Sequence, residues 1–254
     1  MKKFQKKSFR GIYLIVASVM FLTACKEEST TLDQPTTTLG ETVVLCHGKA
    51  QSFVIKDANG NPECIGFTFS EEALTDLPDK DTETPIPVPS DNGTLVDHMY
   101  VDYNAHGHKP AGIYDKPHFD IHFYMISKEE QNKIVIGPEM EILPSAEFVP
   151  TDYQPGPGGV PNMGKHWSDV TSKEFNGQPF DYTFIYGSYN GKFIFYEPMV
   201  TIAFLKLKQN FSAVVKQPAK VQREGYYPTS YSVSYDATKK IYIIKLEKLT
   251  LRHI

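Results

Sequence analysis

Pairs of β-rich runs joined by short turns recur along this sequence, and they constrain its fold more than any other feature. DYTFIYGS is followed by YNG and KFIFYEPMV, with Asn190-Gly191 at the turn. QSFVIK, DANGNP and ECIGFTF repeat this arrangement, and YYPTSYSVSY with IYIIKLEKLTL forms a third pair at the end of the chain. Asn-Gly between runs rich in aromatic and β-branched residues is typical of a β-hairpin. The sequence therefore predicts a mostly antiparallel β-sheet built from hairpins.

A few short helices are predicted between these strands. Ser70 precedes two glutamates and an apolar pair, as at a helix N-terminus, and Ser127 with Glu130 forms a capping-box pattern. Residues 201–215 have mixed helical spacing, which predicts a further helix. Strands paired through short turns, together with a few short helices, indicate the α+β class.

Residues 1–24 have the pattern of a signal peptide, because a lysine-rich start precedes the apolar stretch 12–22. That stretch ends in Leu22-Thr23-Ala24-Cys25, which resembles the lipobox of bacterial lipoproteins, so Cys25 is predicted to carry the lipid. An uncleaved signal anchor with an incidental cysteine is the alternative. Lys26-Glu27-Glu28 resembles the export signal of surface lipoproteins in Bacteroidetes-type bacteria. We expect an outer-membrane lipoprotein that faces the periplasm or the cell exterior.

The residues after the lipidation site divide into a tether and a folded part. Residues 29–40 are rich in Thr and Ser and poor in apolar residues, so residues 25–45 are predicted to be a flexible tether. Residues 46–254 are predicted to form one domain, with a possible subdivision at the proline- and acid-rich segment 78–93. The net charge of −4 and the lack of a basic stripe argue against nucleic acid as a partner. Membrane contact is expected only through the lipid.

Two cysteines remain once Cys25 is assigned to the lipid anchor. Cys46 and Cys64 would meet an oxidising environment outside the cytoplasm, so they are a candidate disulfide. Two free buried thiols are the alternative, because a sequence carries no geometry.

The stretch PHFDIHFY, residues 117–124, carries polar side chains at alternate positions. On a strand His118, Asp120 and His122 share one face, and the aromatic and aliphatic residues between them share the other face. The two histidines would then lie about 13 Å apart, which is too far for both to ligate one ion on a straight strand. A metal site on this strand therefore needs ligands from elsewhere.

Further candidates for such a site lie in other segments. Six of the eight histidines fall between positions 98 and 166. We predict that His118, His122, His166 and Glu197 bind a divalent transition metal, because imidazole and carboxylate suit Zn, Mn, Fe or Cu. Asp120 and His108 are predicted to support these ligands or to act as acid/base groups, and a metal-free acid/base pair would join Asp120 to His118 or His122. The alternative is a polar layer of hydrogen-bonded histidines without a metal. Trp167, the only tryptophan in the chain, is interpreted as lining a pocket or as a core residue.

Several long motifs resemble one known family. FVIKDANGNPECIGFTFSEEALTDLP, DHMYVDYNAHGHKPAGIYDKPHFDIHFYMIS, VPNMGKHW and FIYGSYNGKFIFYEPMVT are similar to a group of uncharacterised extracytoplasmic bacterial proteins. That family is named after a sigma-E-regulated protein of Thermus thermophilus, and the resemblance covers roughly residues 46–254. It implies an α+β protein that assembles into a ring-shaped homo-oligomer and is linked to envelope stress. It implies no activity and no catalytic residues.

Three functions are compatible with these observations. The leading hypothesis is a lipid-anchored protein whose histidine-rich pocket binds a transition metal. The alternatives are an enzyme that uses a metal or an acid/base pair on a small molecule, and a structural homo-oligomer of the cell envelope. The chain has no Walker loop, dinucleotide fingerprint, nucleophile elbow or HExxH motif that would indicate a particular reaction.

Overall fold

The computed structural model of the protein describes Met1 and residues 34–254. Residues 34–254 belong to one compact unit. Apart from Met1, the predicted signal peptide 1–24 lies outside the described residues, as does the predicted lipidation site Cys25.

Antiparallel strands account for nearly half of the described part of the chain. In chain order they are β1 (Thr36–Leu45), β2 (Gly48–Lys56), β3 (Pro62–Ser70), β4 (Thr82–Ile86), β5 (His98–Asn104), β6 (His118–Tyr124), β7 (Tyr153–Pro155), β8 (Lys165–Asp169), β9 (Tyr182–Tyr189), β10 (Lys192–Thr201), β11 (Phe211–Val214), β12 (Gly225–Asp236) and β13 (Ile241–Arg252). All three predicted hairpins are present, as β2–β3, β9–β10 and β12–β13.

The helices are few and short. They are α1 (Lys128–Gln131), α2 (Ile202–Lys206) and the 3₁₀ helices Glu71–Leu74, Pro138–Glu141, Ala146–Phe148 and Lys173–Asn176. The capping box predicted before α1 is confirmed, because the Ser127 hydroxyl accepts from the Glu130 backbone N–H and the Glu130 carboxylate accepts from the Ser127 N–H. None of the helices in the described residues has the length and apolar character needed to cross a bilayer.

The prediction of a helix over residues 201–215 is wrong after the first turn. α2 ends at Lys206, and the positive φ of 55° at Lys208 turns the chain away from the helical path. Phe211 and the next three residues then alternate exposed and half-buried positions and pair with β12 as β11. Helical spacing correctly predicted the conformation of residues 202–206. Residues 211–214 form a strand instead, because they pair with β12.

The strands form two sheets. Sheet I has six strands in the order β1-β2-β3-β13-β12-β11, and sheet II has seven in the order β4-β5-β6-β10-β9-β8-β7. Every pairing between neighbouring strands is antiparallel. The prediction of antiparallel sheets built from hairpins is therefore confirmed. The protein is mostly β rather than α+β, because its helices are single short turns that contribute little of the structure.

The main core lies between the two sheets and is rich in aromatic side chains. Phe69 of sheet I meets Phe119 of sheet II edge to face, with ring centroids 5.8 Å apart. Phe184 of sheet II lies 5.0 Å from Tyr231 of sheet I. Burial of each such side chain contributes about 1.5–3 kcal/mol. This packing fixes which face of β6 points inward and which points away from sheet I.

The domain begins earlier than the sequence predicted. Residues 36–45, assigned to the tether, form β1 and pair with β2, from Thr36 opposite Lys56 to Leu45 opposite Gly48. Threonine favours extended backbone, and an edge strand can stay largely exposed because its partner satisfies one row of its hydrogen bonds. The acidic segment 78–93 likewise contains β4, which pairs with β5 instead of separating two domains.

Cys46 and Cys64 do not form the candidate disulfide, and both are free thiols in this structure. Cys46 follows Leu45, which pairs with Gly48 at one end of β2, whereas Cys64 pairs with Ile55 near the other end. The intervening length of β2 is on the order of 20 Å. A disulfide needs Cα atoms within about 7 Å, so the strand register excludes this bond.

Candidate functional site

The polar face of β6 is buried. Phe119, Ile121 and Phe123 point into the core between the sheets, which confirms the predicted alternation. His118, Asp120 and His122 point from the opposite face of sheet II and are nonetheless inaccessible, with His118 at 0% exposure. A carboxylate and two imidazoles buried together must be neutralised, bonded or bound to an ion.

A first group of ligand-type side chains, group 1, consists of His108, His118 and Asp120. Their candidate ligand atoms all lie within 4.8 Å of one another. His108 comes from the loop 105–117 between β5 and β6, where it forms an isolated β-bridge with Tyr114. The His108 side chain is 36% exposed, so group 1 opens towards solvent on the loop side.

The tautomers of the two histidines in group 1 are set by the backbone. His108 Nδ1 lies 2.7 Å from the Lys109 carbonyl, and His118 Nδ1 lies 2.6 Å from the Lys116 carbonyl. A carbonyl oxygen only accepts, so both Nδ1 atoms carry hydrogen. In the neutral rings, each Nε2 therefore presents a lone pair. These two atoms lie 3.0 and 2.9 Å from the two oxygens of Asp120.

Lone pairs on imidazole and carboxylate repel each other unless a proton or a cation lies between them. Burial lowers the pKa of His108, but its hydrogen bond to Asp120 and the charge of that carboxylate outweigh burial and raise the pKa to about 9. Burial raises the pKa of Asp120, yet His118 and His108 overcome it and hold that pKa well below its usual range. His118 Nε2 and Asp120 Oδ1 still make no hydrogen bond to any described residue. These two atoms are close to each other but do not have hydrogen-bond geometry. Two ligands of one metal ion would be arranged in this way.

A second group, group 2, consists of His122, His166 and Glu197, contributed by β6, β8 and β10. Their candidate ligand atoms also lie within 4.8 Å of one another. Glu197 Oε2 is 3.7 Å from His122 Nε2 and 3.5 Å from His166 Nε2. Two ligands of one tetrahedral zinc ion with bonds near 2 Å would be separated by about 3.3 Å. The spacing in group 2 is close to that value and too long for good hydrogen bonds.

The register of sheet II brings group 2 together. Tyr196 pairs with Phe123, which places the next residue of β10, Glu197, opposite His122. His166 pairs with Gly187 on the intervening strand β9. A side chain at position 187 would collide with the Phe195 ring, since a Cβ there would lie 2.0 Å from two ring atoms.

Phe195 packs against both imidazoles of group 2. Its ring centroid lies 4.9 Å from that of His122 and 5.4 Å from that of His166. Gly187 makes room for the ring, so this glycine is part of what fixes the two imidazoles.

The charges in group 2 are not satisfied by its own members. Burial raises the pKa of Glu197, even though His122 opposes this shift. Burial lowers the pKa of His122, but Glu197 and Asp102 outweigh it and raise the pKa to about 9. Burial and the neighbouring charge of His122 lower the pKa of His166, which keeps that imidazole neutral. Both ring nitrogens of His122 and Oε2 of Glu197 lack hydrogen-bond partners among the described residues.

Asp102 is a member of the site that sequence reasoning missed. It lies on β5 opposite Asp120, with Oδ2 3.3 Å from His122 Nδ1. Metal-binding histidines commonly place their second nitrogen beside a carboxylate, which fixes the ring. The alternation of DHMYVDYN was the signal, because it puts Asp102 on the same face of the sheet as the β6 histidines.

The structure divides the predicted single metal site in two. His122, His166 and Glu197 come together as expected, but His118 joins His108 and Asp120 instead. His118 and His122 are four residues apart on one strand, and this separation decides the division. His108 and Asp120, predicted as supporting residues, are equal members of group 1.

His106 and Trp167, which lie in the same histidine-rich part of the sequence, belong to neither group. His106 is 73% exposed and pairs with Asp79 at the surface. Trp167 is a core residue rather than a pocket residue, with 3% exposure, and its indole N–H donates to Ser188 Oγ.

Each group presents two imidazoles and one carboxylate. Three protein ligands of this kind leave coordination positions free on Zn, Mn or Fe, and imidazole also suits Cu. These residues can hold a divalent metal ion without rearrangement of the sheet, because five of the six are on strands.

Comparison with known proteins supports the family resemblance over one segment. Residues 57–103 match the model of the TTHB210-like family, which is described as hypothetical protein TTHB210. The match runs from the β2–β3 turn into β5 and includes Asp102, whereas the six residues of groups 1 and 2 lie beyond it. No curated protein and no solved structure matches the chain.

Proposed function

We propose that the protein binds divalent transition metal ions at two neighbouring sites, group 1 and group 2. The observation that carries this proposal is the state of Glu197. Its carboxylate is 1% exposed, and Oε2 faces two imidazole nitrogens without a hydrogen bond to any described residue. A buried carboxylate without partners costs several kcal/mol, and a metal ion removes this cost.

The surroundings of both groups favour metal over a purely structural polar layer. In a satisfied layer each buried polar atom has a partner, yet His118 Nε2, Asp120 Oδ1 and both nitrogens of His122 have none in the described part of the chain. The contacts that orient the rings are those expected behind a metal. Backbone carbonyls accept from Nδ1 in group 1, and Asp102 lies beside Nδ1 of His122 in group 2.

The two sites differ in their access to solvent. Group 1 opens at His108, and group 2 opens at His166, whose side chain is 25% exposed. His118, His122 and Glu197 are buried further from solvent than His108 and His166. Ions would enter past the two half-exposed imidazoles, which therefore act as the outer ligands.

Metal binding in the cell envelope is the function we assign to the whole chain. Cys25 would anchor the protein to the outer membrane, and the folded part would present its two sites to the periplasm or to the outside. A homo-oligomer agrees with the family resemblance. Mass measurement of the mature protein would test the lipid, and light scattering would test the assembly.

A metal-dependent enzyme is the second candidate, and a specific observation favours it. Each group supplies three ligands, so a bound ion would keep a position for water or substrate next to a half-exposed histidine. An enzyme of this kind would use the metal as a Lewis acid or to lower the pKa of a bound water.

The decisive experiment is a titration of the untagged, metal-depleted protein with Zn, Mn, Fe and Cu ions. We expect about two equivalents of at least one metal to remain after desalting, measured by elemental analysis. A variant with both His118→Gln and His122→Gln should retain neither equivalent, whereas His106→Gln should retain both. A folded wild-type protein that binds none of the four metals would refute the proposal.

A further inference from the structure

Five large aliphatic side chains are exposed in the loops at one end of sheet II. They are Val135, Ile136, Ile142, Leu143 and Val160, and each is between 42% and 63% exposed. Apolar side chains that are exposed as a group, rather than singly, mark a surface that binds an apolar partner. None of the five belongs to group 1 or group 2. We refer to these five residues as the apolar patch.

The residues of the apolar patch surround a common buried cluster. Ile134 and Met140 are buried together in this cluster, and Met163 packs against it. Each of these three residues is close in sequence to members of the patch. Asn162 also donates its backbone N–H to the Ile134 carbonyl, which joins the glycine-rich loop to the segment that carries Val135. The exposed side chains therefore lie on one surface of the protein.

The turn between β9 and β10 fixes the position of the patch in the fold. Gly191 in this turn donates its backbone N–H to the Ile142 carbonyl. The Gly191 carbonyl accepts from the side-chain amide of Gln222, which lies in the segment that joins β11 to β12. β12 begins three residues later, at Gly225. The patch is therefore at the end of the two-sheet structure where β12 begins.

The chain enters the folded part at this same end. In the antiparallel sheet I, the start of β12 pairs with the end of β13, and the end of β13 lies beside the start of β3. The start of β3 pairs with the end of β2, where Lys56 is opposite Thr36, the first residue of β1. The end that carries the patch is thus also the end that is joined to the predicted lipidation site.

The covalent distance between the predicted lipid and the folded part is short. The ten residues 26–35 separate Cys25 from Thr36, and a chain of this length spans at most about 40 Å. The longest strands, β12 and β13, have 12 residues each and are also about 40 Å long. The opposite end of the domain could face the bilayer only if this whole span lay along the domain. The anchor therefore favours the orientation in which the patch faces the bilayer.

The charged side chains beside the patch balance one another. They are Lys133, Lys165 and Lys192 against Glu129, Glu139 and Glu141. Two of the three lysines form ion pairs with two of the glutamates. The surface therefore has no excess of positive charge that would attract anionic lipids. Aliphatic side chains without such an excess suit a neutral bilayer surface.

We propose that the apolar patch inserts into the surface of a neutral phospholipid bilayer and holds this end of the domain against the membrane. The proposal rests on the membrane anchor of the proposed function, but it does not depend on metal binding. Phe195 belongs to the same buried cluster as Ile134 and also contacts the imidazoles of His122 and His166. The contact would therefore place group 2 close to the bilayer.

Tryptophan quenching by brominated lipid tests this contact. The full-length protein is reconstituted into phosphatidylcholine vesicles with and without bromine on the acyl chains, as the variants Ile136→Trp and Leu207→Trp. The wild-type protein gives the emission of Trp167, which is subtracted. Leu207 is the matched control, because it is 61% exposed against 63% for Ile136 and follows α2 at the far end of β10.

We expect brominated lipid to reduce the added emission of Ile136→Trp at least twofold and to leave that of Leu207→Trp unchanged. Equal emission of Ile136→Trp in the two kinds of vesicle would overturn the proposal. Mass measurement of the same samples reports the lipid on Cys25 independently. Quenching without the lipid would support the patch and refute the lipid anchor, whereas the lipid without quenching would refute the patch alone.

A second pair of substitutions tests the chemistry of the contact. Ile142→Asp together with Leu143→Asp, added to Ile136→Trp, should abolish the quenching because charged side chains do not insert into the bilayer. A second copy of the chain is the other candidate partner for an apolar surface. If the two substitutions dissociated an oligomer in light scattering and left the quenching unchanged, the patch would be a contact between copies and the proposal would be wrong.

Discussion

His122 and Glu197 face each other across β6 and β10, with Nε2 3.7 Å from Oε2 and no hydrogen bond on either atom from the described residues. Both lie in the middle of sheet II, where neighbouring strands and Phe195 hold them. If the pair binds a metal, it would need little ordering when the ion arrives, and this would lower the entropic cost of binding. This pair is therefore the part of the protein on which the metal hypothesis can be tested most sharply.

Single substitutions should remove one metal equivalent each, because groups 1 and 2 share no residue. We expect His122→Gln to abolish binding in group 2 and to retain about one equivalent in group 1. His118→Gln should have the reverse effect. Loss of one of three ligands should weaken the affected site by at least 10- to 100-fold, since even residues behind the ligands have effects of that size.

Isothermal titration calorimetry with zinc, combined with elemental analysis after desalting, measures both quantities. His106→Gln provides the control, because that histidine is at the surface and belongs to neither group. If His118→Gln and His122→Gln each abolished both equivalents, the two groups would form one shared centre, contrary to the assignment of separate sites.

The stability of the metal-free protein should fall as the pH rises from about 6.5 to about 9. The pKa values of His108 and His122 are raised to about 9 in the folded state, so the folded state binds more protons than the unfolded state in this window. Such groups contribute their full stability below their unfolded pKa and lose it through the folded pKa. Glu197, whose pKa is also raised, acts in the same direction from a lower starting pH. The loss should be on the order of 3 kcal/mol for His122, which is fully buried, and less for the half-exposed His108.

Below pH 6.5, His166 changes the stability of the folded state in the opposite direction. Its pKa is lowered by burial, so the unfolded state binds the extra proton and stability falls as the pH decreases. Between about pH 4.5 and 6.5 this effect opposes that of Glu197, so urea unfolding of the metal-free protein should show a plateau of stability in this range and a decline above it. Zinc should flatten the alkaline side, because the ion replaces the protons. A metal-free protein that gained stability between pH 6.5 and 9 would contradict these protonation states.

Gly187→Ala should destabilise the protein by about 1–3 kcal/mol or more, because a Cβ would overlap the Phe195 ring. If the ring moves to avoid the methyl group, it must also disturb His122 and His166, so zinc affinity in group 2 should fall. Gly137→Ala is the matched control, since the closest atom to its added Cβ would be the end of the flexible Glu139 side chain, 3.3 Å away. Denaturant unfolding and a zinc titration measure the two effects. Wild-type zinc affinity in a destabilised Gly187→Ala variant would show that the ring does not position the imidazoles.

The local structure of the fold was predictable to a large extent from residues alone. Asn190-Gly191 marks the β9–β10 hairpin because both residues adopt the positive φ that this turn requires. The capping box at Ser127 was equally local. The conformation of residues 36–45 and 211–214 was not predictable in this way, because each segment becomes a strand only through pairing with β2 or β12, which depends on the whole sheet.

The candidate site shows the same division between local and distant information. Alternation along β6 correctly placed His118, Asp120 and His122 on one face. Which other residues join them depends on the order β5-β6-β10-β9-β8, and no short-range pattern encodes that order. For this reason the sequence named His166 and Glu197 as ligands but assigned His118 to their site and overlooked Asp102.

Reducing agents should not change the melting temperature of the folded domain. Cys46 and Cys64 are free and lie near opposite ends of β2, so there is no crosslink for the reagent to break. Differential scanning calorimetry with and without reductant provides the measurement, and thiol titration in denaturant should detect both groups without prior reduction. A fall of several degrees on reduction would indicate a disulfide and hence a different register of sheet I.

Trp167 should report metal binding in group 2 through its fluorescence. It follows the proposed ligand His166 on β8, and it is the only tryptophan of the chain, so the emission has a single origin. Copper(II) has an incompletely filled d shell and quenches a nearby indole, whereas zinc has a filled shell and should leave the emission almost unchanged. We therefore expect saturable quenching by copper, with protection when zinc is added first. His166→Gln should greatly reduce the quenching, while His118→Gln should retain it, because His118 belongs to group 1. Equal quenching in both variants would place the bound copper away from His166.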